Sequence, residues 1–300
     1  MGGDPEDRDT WVKRQNPNLD PRQTLARADV AEAALEGEIG SARFVTPKAR
    51  RIAVPLADLK REPTPSSGLL TQALMGEEAD VLVEKNGWAF ARLKSDGYVG
   101  YLRSEALTPH FPAPTHSVAV PLTHIYAKPD LKTPSPLALP FLSRVAVGGS
   151  APQNGFSEAK GQGWIYAKHL TPLDQALPDH AETALSFLHA PYLWGGRSAL
   201  GLDCSGLVQL ALQASGIACP RDTDRQGESA GTMIARNVDP EVCRRGDLVF
   251  FPGHVGILID ATRIVHANAT RMKVSIDEVD TIVSWLKGKV PEPVLGLRRL

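Results

Sequence analysis

The sequence predicts an α+β protein: two small β-barrels, then a domain in which helices lead and an antiparallel sheet follows. An internal repeat in the first half points to the barrels. A later switch from β-branched runs to helical spacing, and back to short strands, points to the third domain. Residues in the apolar class make up 42% of the chain, enough for cores of this size, and 24 prolines with 26 glycines in 300 residues suit short strands and turns.

The first 42 residues are polar, with an Ala-rich stretch from Thr24 to Glu38 that predicts one short helix. Strand signals begin at Arg43. Asn86-Gly87 separates Val81-Leu-Val-Glu from Trp88-Ala-Phe-Ala-Arg-Leu, and Asp96-Gly97 precedes Tyr98-Val-Gly-Tyr. Both dipeptides tolerate the positive φ that tight hairpins require. Ala53-Val-Pro-Leu recurs as Ala119-Val-Pro-Leu at an offset of 66, and Leu107-Thr-Pro recurs as Leu170-Thr-Pro at an offset of 63. Each copy carries a Pro-rich loop after its first motif, Pro63-Thr-Pro-Ser-Ser or Thr133-Pro-Ser-Pro. Each ends on glycine, an aromatic and an apolar strand, Gly97-Tyr-Val-Gly-Tyr-Leu or Gly163-Trp-Ile-Tyr. The copies define barrels over residues 43–111 and 115–173.

Residues 174–300 form the third domain. Asp179 to His189 has helical spacing, and the loop Pro191-Tyr-Leu-Trp-Gly-Gly-Arg follows. Asp203-Cys-Ser-Gly-Leu-Val-Gln-Leu-Ala-Leu-Gln-Ala reads as a buried helix stopped by Gly216. Short apolar strands complete the sheet: Leu248-Val-Phe-Phe, His254-Val-Gly-Ile-Leu-Ile, Ile264-Val-His and Val294-Leu-Gly-Leu.

Charge and cysteine content exclude several classes. With 33 basic and 34 acidic residues the net charge is −1, so there is no electrostatic footprint for nucleic acid or an anionic membrane. Three cysteines, Cys204, Cys219 and Cys243, are too few and too scattered for a disulfide framework. No H-E-x-x-H, C-x-x-C or H-x-x-x-H spacing suggests a metal, and no cofactor is implied. The N-terminus, Met1-Gly-Gly-Asp-Pro-Glu-Asp-Arg, has no apolar segment, and no run reaches the roughly 18 apolar residues of a membrane span. A cytoplasmic protein is the expectation.

Cys204 opens the buried helix directly after Asp203. The free N–H groups and dipole of a helix N-terminus favour a thiolate there and stabilise an oxyanion built on it. Cys219 and Cys243 read as structural thiols. His254 begins one strand and His266 lies in the next, joined through Asp260-Ala-Thr-Arg. A two-residue loop puts these histidines on opposite faces, whereas a three-residue loop or a bulge puts them on one face. In the second case His254 serves as base for Cys204, and His266 fixes its ring.

These segments, with Arg221-Asp-Thr-Asp-Arg-Gln and Arg245-Gly-Asp-Leu-Val-Phe-Phe between them, resemble the NlpC-type family of cell-wall cysteine peptidases over nearly all of residues 173–300. The two repeats resemble bacterial SH3-like domains, and the whole layout is similar to that of γ-D-glutamyl-L-diamino acid endopeptidases. The resemblance implies a papain-like catalytic domain that hydrolyses the amide between γ-D-glutamate and a diamino acid, diaminopimelate or lysine. Its substrates would be peptidoglycan-derived tri- or tetrapeptides with a free N-terminal L-Ala, as in cell-wall peptide recycling.

Through the same resemblance, Cys204 matches the nucleophile, His254 the base, His266 the third polar member, and Tyr192 a hydroxyl that polarises the oxyanion. Asp203 and Ser205 match acceptors for the substrate ammonium, and Asp222 and Thr223 match a substrate-contacting acidic–hydroxyl pair. Glu62 and Tyr98 of the first barrel fall where relatives contact the substrate amine, although Tyr101 competes with Tyr98 and either could be barrel core. Asp203 also suits a helix N-cap, and Asp222 also suits an ion pair with Arg221 or Arg225. Trp194 either walls the pocket or packs. The second barrel has Lys128-Pro-Asp where the first has Arg61-Glu-Pro, so it reads as a spacer. The intact Cys204, His254 and His266 set stands against a wall-peptide-binding module with an inactive catalytic domain. The acidic residues favour a peptidase over an amidase or acyltransferase of the same fold.

Overall fold

The computed structural model describes residues 7–135 and 137–300. Residues 1–6 of the polar N-terminus and Pro136 of the second Pro-rich loop lie outside the described residues. The chain forms two compact units that divide after Pro112.

In the first unit, helix α1 (Arg8–Gln15) precedes seven strands: β1 (Lys48–Ile52), β2 (Leu56–Lys60), β3 (Leu69–Leu74), β4 (Glu78–Lys85), β5 (Trp88–Leu93), β6 (Val99–Arg103) and β7 (Leu107–Thr108). They form one antiparallel sheet in the order β3-β2-β6-β5-β4-β1-β7, wrapped around Leu59, Ala73, Ala91 and Leu102. Asn86 (φ 52°) and Gly87 (φ 78°) make the tight turn between β4 and β5 that the dipeptide predicts.

The expected helix over Thr24–Glu38 does not form. That stretch holds only a two-residue strand at Ala31–Glu32, paired with Phe44–Val45, and one 3₁₀ turn at Ala33–Leu35. Tertiary burial outweighs alanine's helix propensity there. Leu25 and Val30 pack against Phe90 and Tyr101 of the barrel, while Ala26, Ala31 and Leu35 pack against Trp11 and Val12 of α1. Glu32 receives two hydrogen bonds from Arg92, at 2.6 and 2.9 Å. The polar segment is thus part of the first barrel's unit.

The second unit opens with seven short strands: β8 (His116–Val118), β9 (Leu122–Ile125), β10 (Leu137–Pro140), β11 (Arg144–Val145), β12 (Phe156–Ala159), β13 (Gly163–Tyr166) and β14 (Leu170–Pro172). β11-β8-β14 form one sheet, and β9-β10 and β12-β13 form hairpins. The repeat seen in sequence is a repeat of backbone bonds. Met75 N–H donates to Pro55 O in the first copy, as Phe141 N–H does to Pro121 O in the second. Asn154 (φ 49°) and Gly155 (φ 84°) occupy the turn of the second copy that Asn86 and Gly87 occupy in the first.

The same unit continues into α2 (His180–Leu185), α3 (Cys204–Ala214), α4 (Thr223–Ser229) and a six-stranded antiparallel sheet. Its strands are β15 (Thr232–Ala235), β16 (Leu248–Phe251), β17 (His254–Leu258), β18 (Arg263–Asn268), β19 (Lys273–Glu278) and β20 (Gly296–Arg299), in the order β15-β20-β16-β17-β18-β19. Helix α5 (Val279–Leu286) interrupts the strands before β20, so helices do not all come first. The helix expected over Asp179–His189 is shorter and ends before His189, which adopts φ 73°.

Phe141 of the second barrel is fully buried and meets Phe187, after α2, edge-on at 5.5 Å. Barrel and catalytic domain therefore share a core, which a spacer does not require. Phe141→Ala should cost about 3–5 kcal/mol of stability. Chemical denaturation followed by a probe in the catalytic domain should report this loss, and an unchanged midpoint would show that the two fold independently.

Candidate active site

Asp203 starts the site by starting α3. Its Oδ1 accepts the Gly206 N–H at 2.7 Å as N-cap, and its Oδ2 accepts the Gly195 N–H at 2.8 Å from the preceding loop. Arg221, from the segment before α4, donates to the same two oxygens at 2.9 and 2.6 Å, and to Ser205 Oγ at 2.8 Å. Both charges are nearly out of solvent, with side-chain exposures of 1% and 9%. Removing one partner of such a pair leaves an uncompensated buried charge and costs about 3–5 kcal/mol. Gly206 permits this packing, because a Cβ there would stand 2.4 Å from Gly196 O. Arg221 thus pairs with Asp203.

The Cys204 thiol, 8% exposed, lies between α3, α4 and the start of β17. Its Sγ is 3.8 Å from Thr223 Oγ1 and is reached by the backbone N–H groups of Ser205 and Val255. Burial pushes the thiol pKa up, and the Asp203 carboxylate pushes it further; Thr223 and the two N–H groups oppose them and lose. The expectation that the helix N-terminus favours a thiolate is corrected to this extent: its N–H groups act in that direction, but burial and Asp203 outweigh them. The resting group is a thiol that needs a base.

The candidate for that base is His254, at the start of β17. Ile259 N–H bonds to Arg263 O at 2.9 Å and closes a three-residue loop, so His254 and His266 fall on one face of the β17–β18 hairpin. His254 Nε2 and His266 Nδ1 are 2.7 Å apart, and His266 Nε2 is 3.0 Å from Asp277 Oδ2 on β19. Burial would raise the Asp277 pKa, but bonds from Arg271, His266 and Ser275 outweigh it and hold the carboxyl at about 2. Asp277 is therefore an anion that only accepts.

That anion decides every proton in the chain. His266 Nε2 must donate to it, which leaves His266 Nδ1 unprotonated because burial keeps this ring neutral. His254 Nε2 must then donate to His266, leaving His254 Nδ1 with a lone pair for the thiol proton. Burial, with His266 beside it, lowers the His254 pKa to about 3, so the ring is neutral. Asn268 Nδ2 lies 3.1 Å from His266 Nε2, but it donates to Ser275 Oγ at 2.8 Å while its Oδ1 accepts the Arg271 N–H at 2.8 Å.

Tyr192 approaches from the loop before α3. Its N–H bonds to Met272 O, and neighbouring residues pair with Lys273 and Val274, which fixes the loop on the edge of β19. Burial, then the Cys204 and Asp203 charges, raise its pKa to about 12, so its hydroxyl keeps a proton to donate.

Residues 189–287 match the NlpC/P60 family, and residues 59–107 match the bacterial dipeptidyl-peptidase SH3 domain. The C-terminal domain belongs to the NlpC/P60 family of cysteine peptidases. Dipeptidyl-peptidase 6 of Lysinibacillus sphaericus is 27% identical over 247 residues, covering 75% of this chain and 89% of that protein. The γ-D-glutamyl-L-lysine dipeptidyl-peptidase of Bacillus subtilis strain 168 is 28% identical over 230 residues, covering 69% and 74%. An NlpC/P60 family protein from Bacillus cereus ATCC 10987 has the same fold at a TM-score of 0.69 and 23% identity, covering 84% of this chain and 99% of that one.

In the NlpC/P60 domain, Trp194 is 73% exposed, so of the two sequence expectations packing is excluded. Asp222 sits at the start of α4. In the SH3 unit, exposed Glu62 and buried Tyr98 line one cavity of about 310 Å³ together with Tyr101, whose hydroxyl accepts a hydrogen bond from Arg27 at 3.0 Å. Asp277, Ser275 and Asn268 escaped the sequence reading. Alternation along β19 offered a signal, since Ser275 and Asp277 share a face and Ser275 registers opposite His266. Among the described residues no cluster of three or more His, Cys, Asp or Glu could hold a metal.

Asp277→Asn presents an amide donor to His266 Nε2, which reverses both tautomers and protonates His254 Nδ1. Turnover should fall about 10²-fold in kcat with little change in KM. A kcat near that of the wild type would show that Asp277 does not set the tautomers.

Proposed function

We propose that the protein hydrolyses the amide between γ-D-glutamate and a diamino acid, lysine or diaminopimelate, in peptidoglycan stem peptides with a free N-terminal L-Ala. The observation that carries the chemistry is the hydrogen-bond chain from Asp277 through His266 to His254, whose chain neighbour Val255 brings its N–H to the helix-start thiol of Cys204. The 28% identity to a γ-D-glutamyl-L-lysine dipeptidyl-peptidase supports the bond type.

His254 Nδ1 takes the Cys204 proton as Sγ attacks the γ-carbonyl carbon. The carbonyl oxygen becomes an oxyanion, and in this proposal the Tyr192 hydroxyl, which keeps its proton, and the Ser205 N–H, which already reaches the sulfur, stabilise it. Collapse breaks the C–N bond, and the diamino acid leaves with the proton from His254. Water, losing a proton to the same nitrogen, then hydrolyses the thioester to release L-Ala-γ-D-Glu and restore the thiol.

An ammonium at the other end of the substrate needs oxygen acceptors. Asp203 and Ser205 flank the nucleophile, although Arg221 already compensates most of the Asp203 charge. Glu62, beside Tyr98, has an exposed carboxylate, and Asp222 and Thr223 complete the set of substrate contacts in this proposal. A need for a free amine restricts the enzyme to peptides already freed from the glycan, which is the chemistry of recycling. A cytoplasmic site of action belongs to the same proposal.

Mass-spectrometric assay of L-Ala-γ-D-Glu-diaminopimelate beside its N-acetylated form tests this. Cleavage of the free peptide only, abolished by Cys204→Ala with native-like circular dichroism, is the expected result. Equal cleavage of both forms would remove Glu62, Asp203 and Asp222 from amine recognition, and retained turnover in Cys204→Ala would remove Cys204 as nucleophile.

A further inference from the structure

A cavity of about 460 Å³ lies beside the catalytic histidines, in the size range of small-ligand sites, and the mechanism above leaves it unassigned. Its walls are the His254–His266 face of the sheet, the turn that follows β18, and helix α5. Cys204 is not among the residues that wall it.

Two kinds of surface meet there. Ile282 and Trp285 of α5 are apolar, and Trp285 is left 60% exposed. Opposite in chemistry is Arg271, whose side chain remains 54% exposed despite its pairing with Asp277. Those bonds use Nε and Nη2, so Nη1 is the nitrogen left for an incoming anion. A partly exposed indole, one face of it under Lys289 Nζ at 3.7 Å from the ring centroid, lines the same cavity as a guanidinium, which suits a ligand with an aliphatic arm and a carboxylate.

We infer that this cavity is the leaving-group subsite, which takes the diamino acid with its aliphatic arm across Trp285 and Ile282 and its carboxylate on Arg271. The inference rests on the peptidase reading above. Its placement follows from the proton: His254 returns a proton to the departing amine, so that amine and its substituents must lie against the His254 ring. That ring is one wall of the cavity.

The test compares kcat/KM for L-Ala-γ-D-Glu joined to lysine with the same dipeptide joined to glycine, which keeps the carboxylate but lacks the arm. The wild type should prefer lysine, and Trp285→Ala should lower that preference about tenfold. Converting the lysine carboxyl to a carboxamide should raise KM of the wild type by about the same factor. An unchanged lysine preference in a natively folded Trp285→Ala protein would overturn the subsite. A wild type that cleaves neither substrate would overturn the peptidase reading, and the subsite with it.

Discussion

An ionised carboxylate, Asp277, sets the protonation of every group between itself and the thiol. Two buried neutral imidazoles in series have several possible proton arrangements, and only one both keeps the hydrogen bond between them and leaves His254 Nδ1 free to accept a proton. Held at about 2 by Arg271, His266 and Ser275, Asp277 selects that arrangement over the whole neutral range. The cost is burial. His254 and His266 are both pushed toward neutrality by desolvation, so their hydrogen bonds to each other and to Asp277 replace the water they lost.

The same burial fixes how stability responds to acid. The His254 pKa is lowered from 6.5 to about 3 in the folded state, so the unfolded chain binds more protons between these values. Stability contributed by the neutral ring is present above the unfolded value and is lost as pH falls toward the folded one. Next to Cys204, Asp203 and Arg221 use a buried ion pair to lock the start of α3 onto the preceding loop. Cys204 is thus held by a cap and an ion pair, and His254 by a hairpin and a neighbouring strand.

Much of this was legible in the sequence because it is local. Asn86-Gly87 and the Ala-Val-Pro-Leu repeat announced hairpins and duplicated barrels, and Asp203-Cys204 announced a capped helix. The face shared by His254 and His266 was conditional on loop length, which the bond from Ile259 to Arg263 O resolves. Other features depended on contacts distant in the chain. The Ala-rich stretch after Thr24 lost its helix to burial against Phe90 and Trp11. The Cys204 thiol was raised rather than lowered because Asp203 and desolvation outweigh three donors. Asp277 was invisible as a partner for His266 without the register of β18 on β19.

The central claim is a statement about two protons, and nitrogen NMR of the histidine side chains reads them directly. Long-range ¹H–¹⁵N spectra of the uniformly labelled enzyme at neutral pH, assigned with His254→Gln and His266→Gln, should show both rings neutral with the proton on Nε2. A proton on Nδ1 of His254, or a doubly protonated ring at either position, would contradict the account.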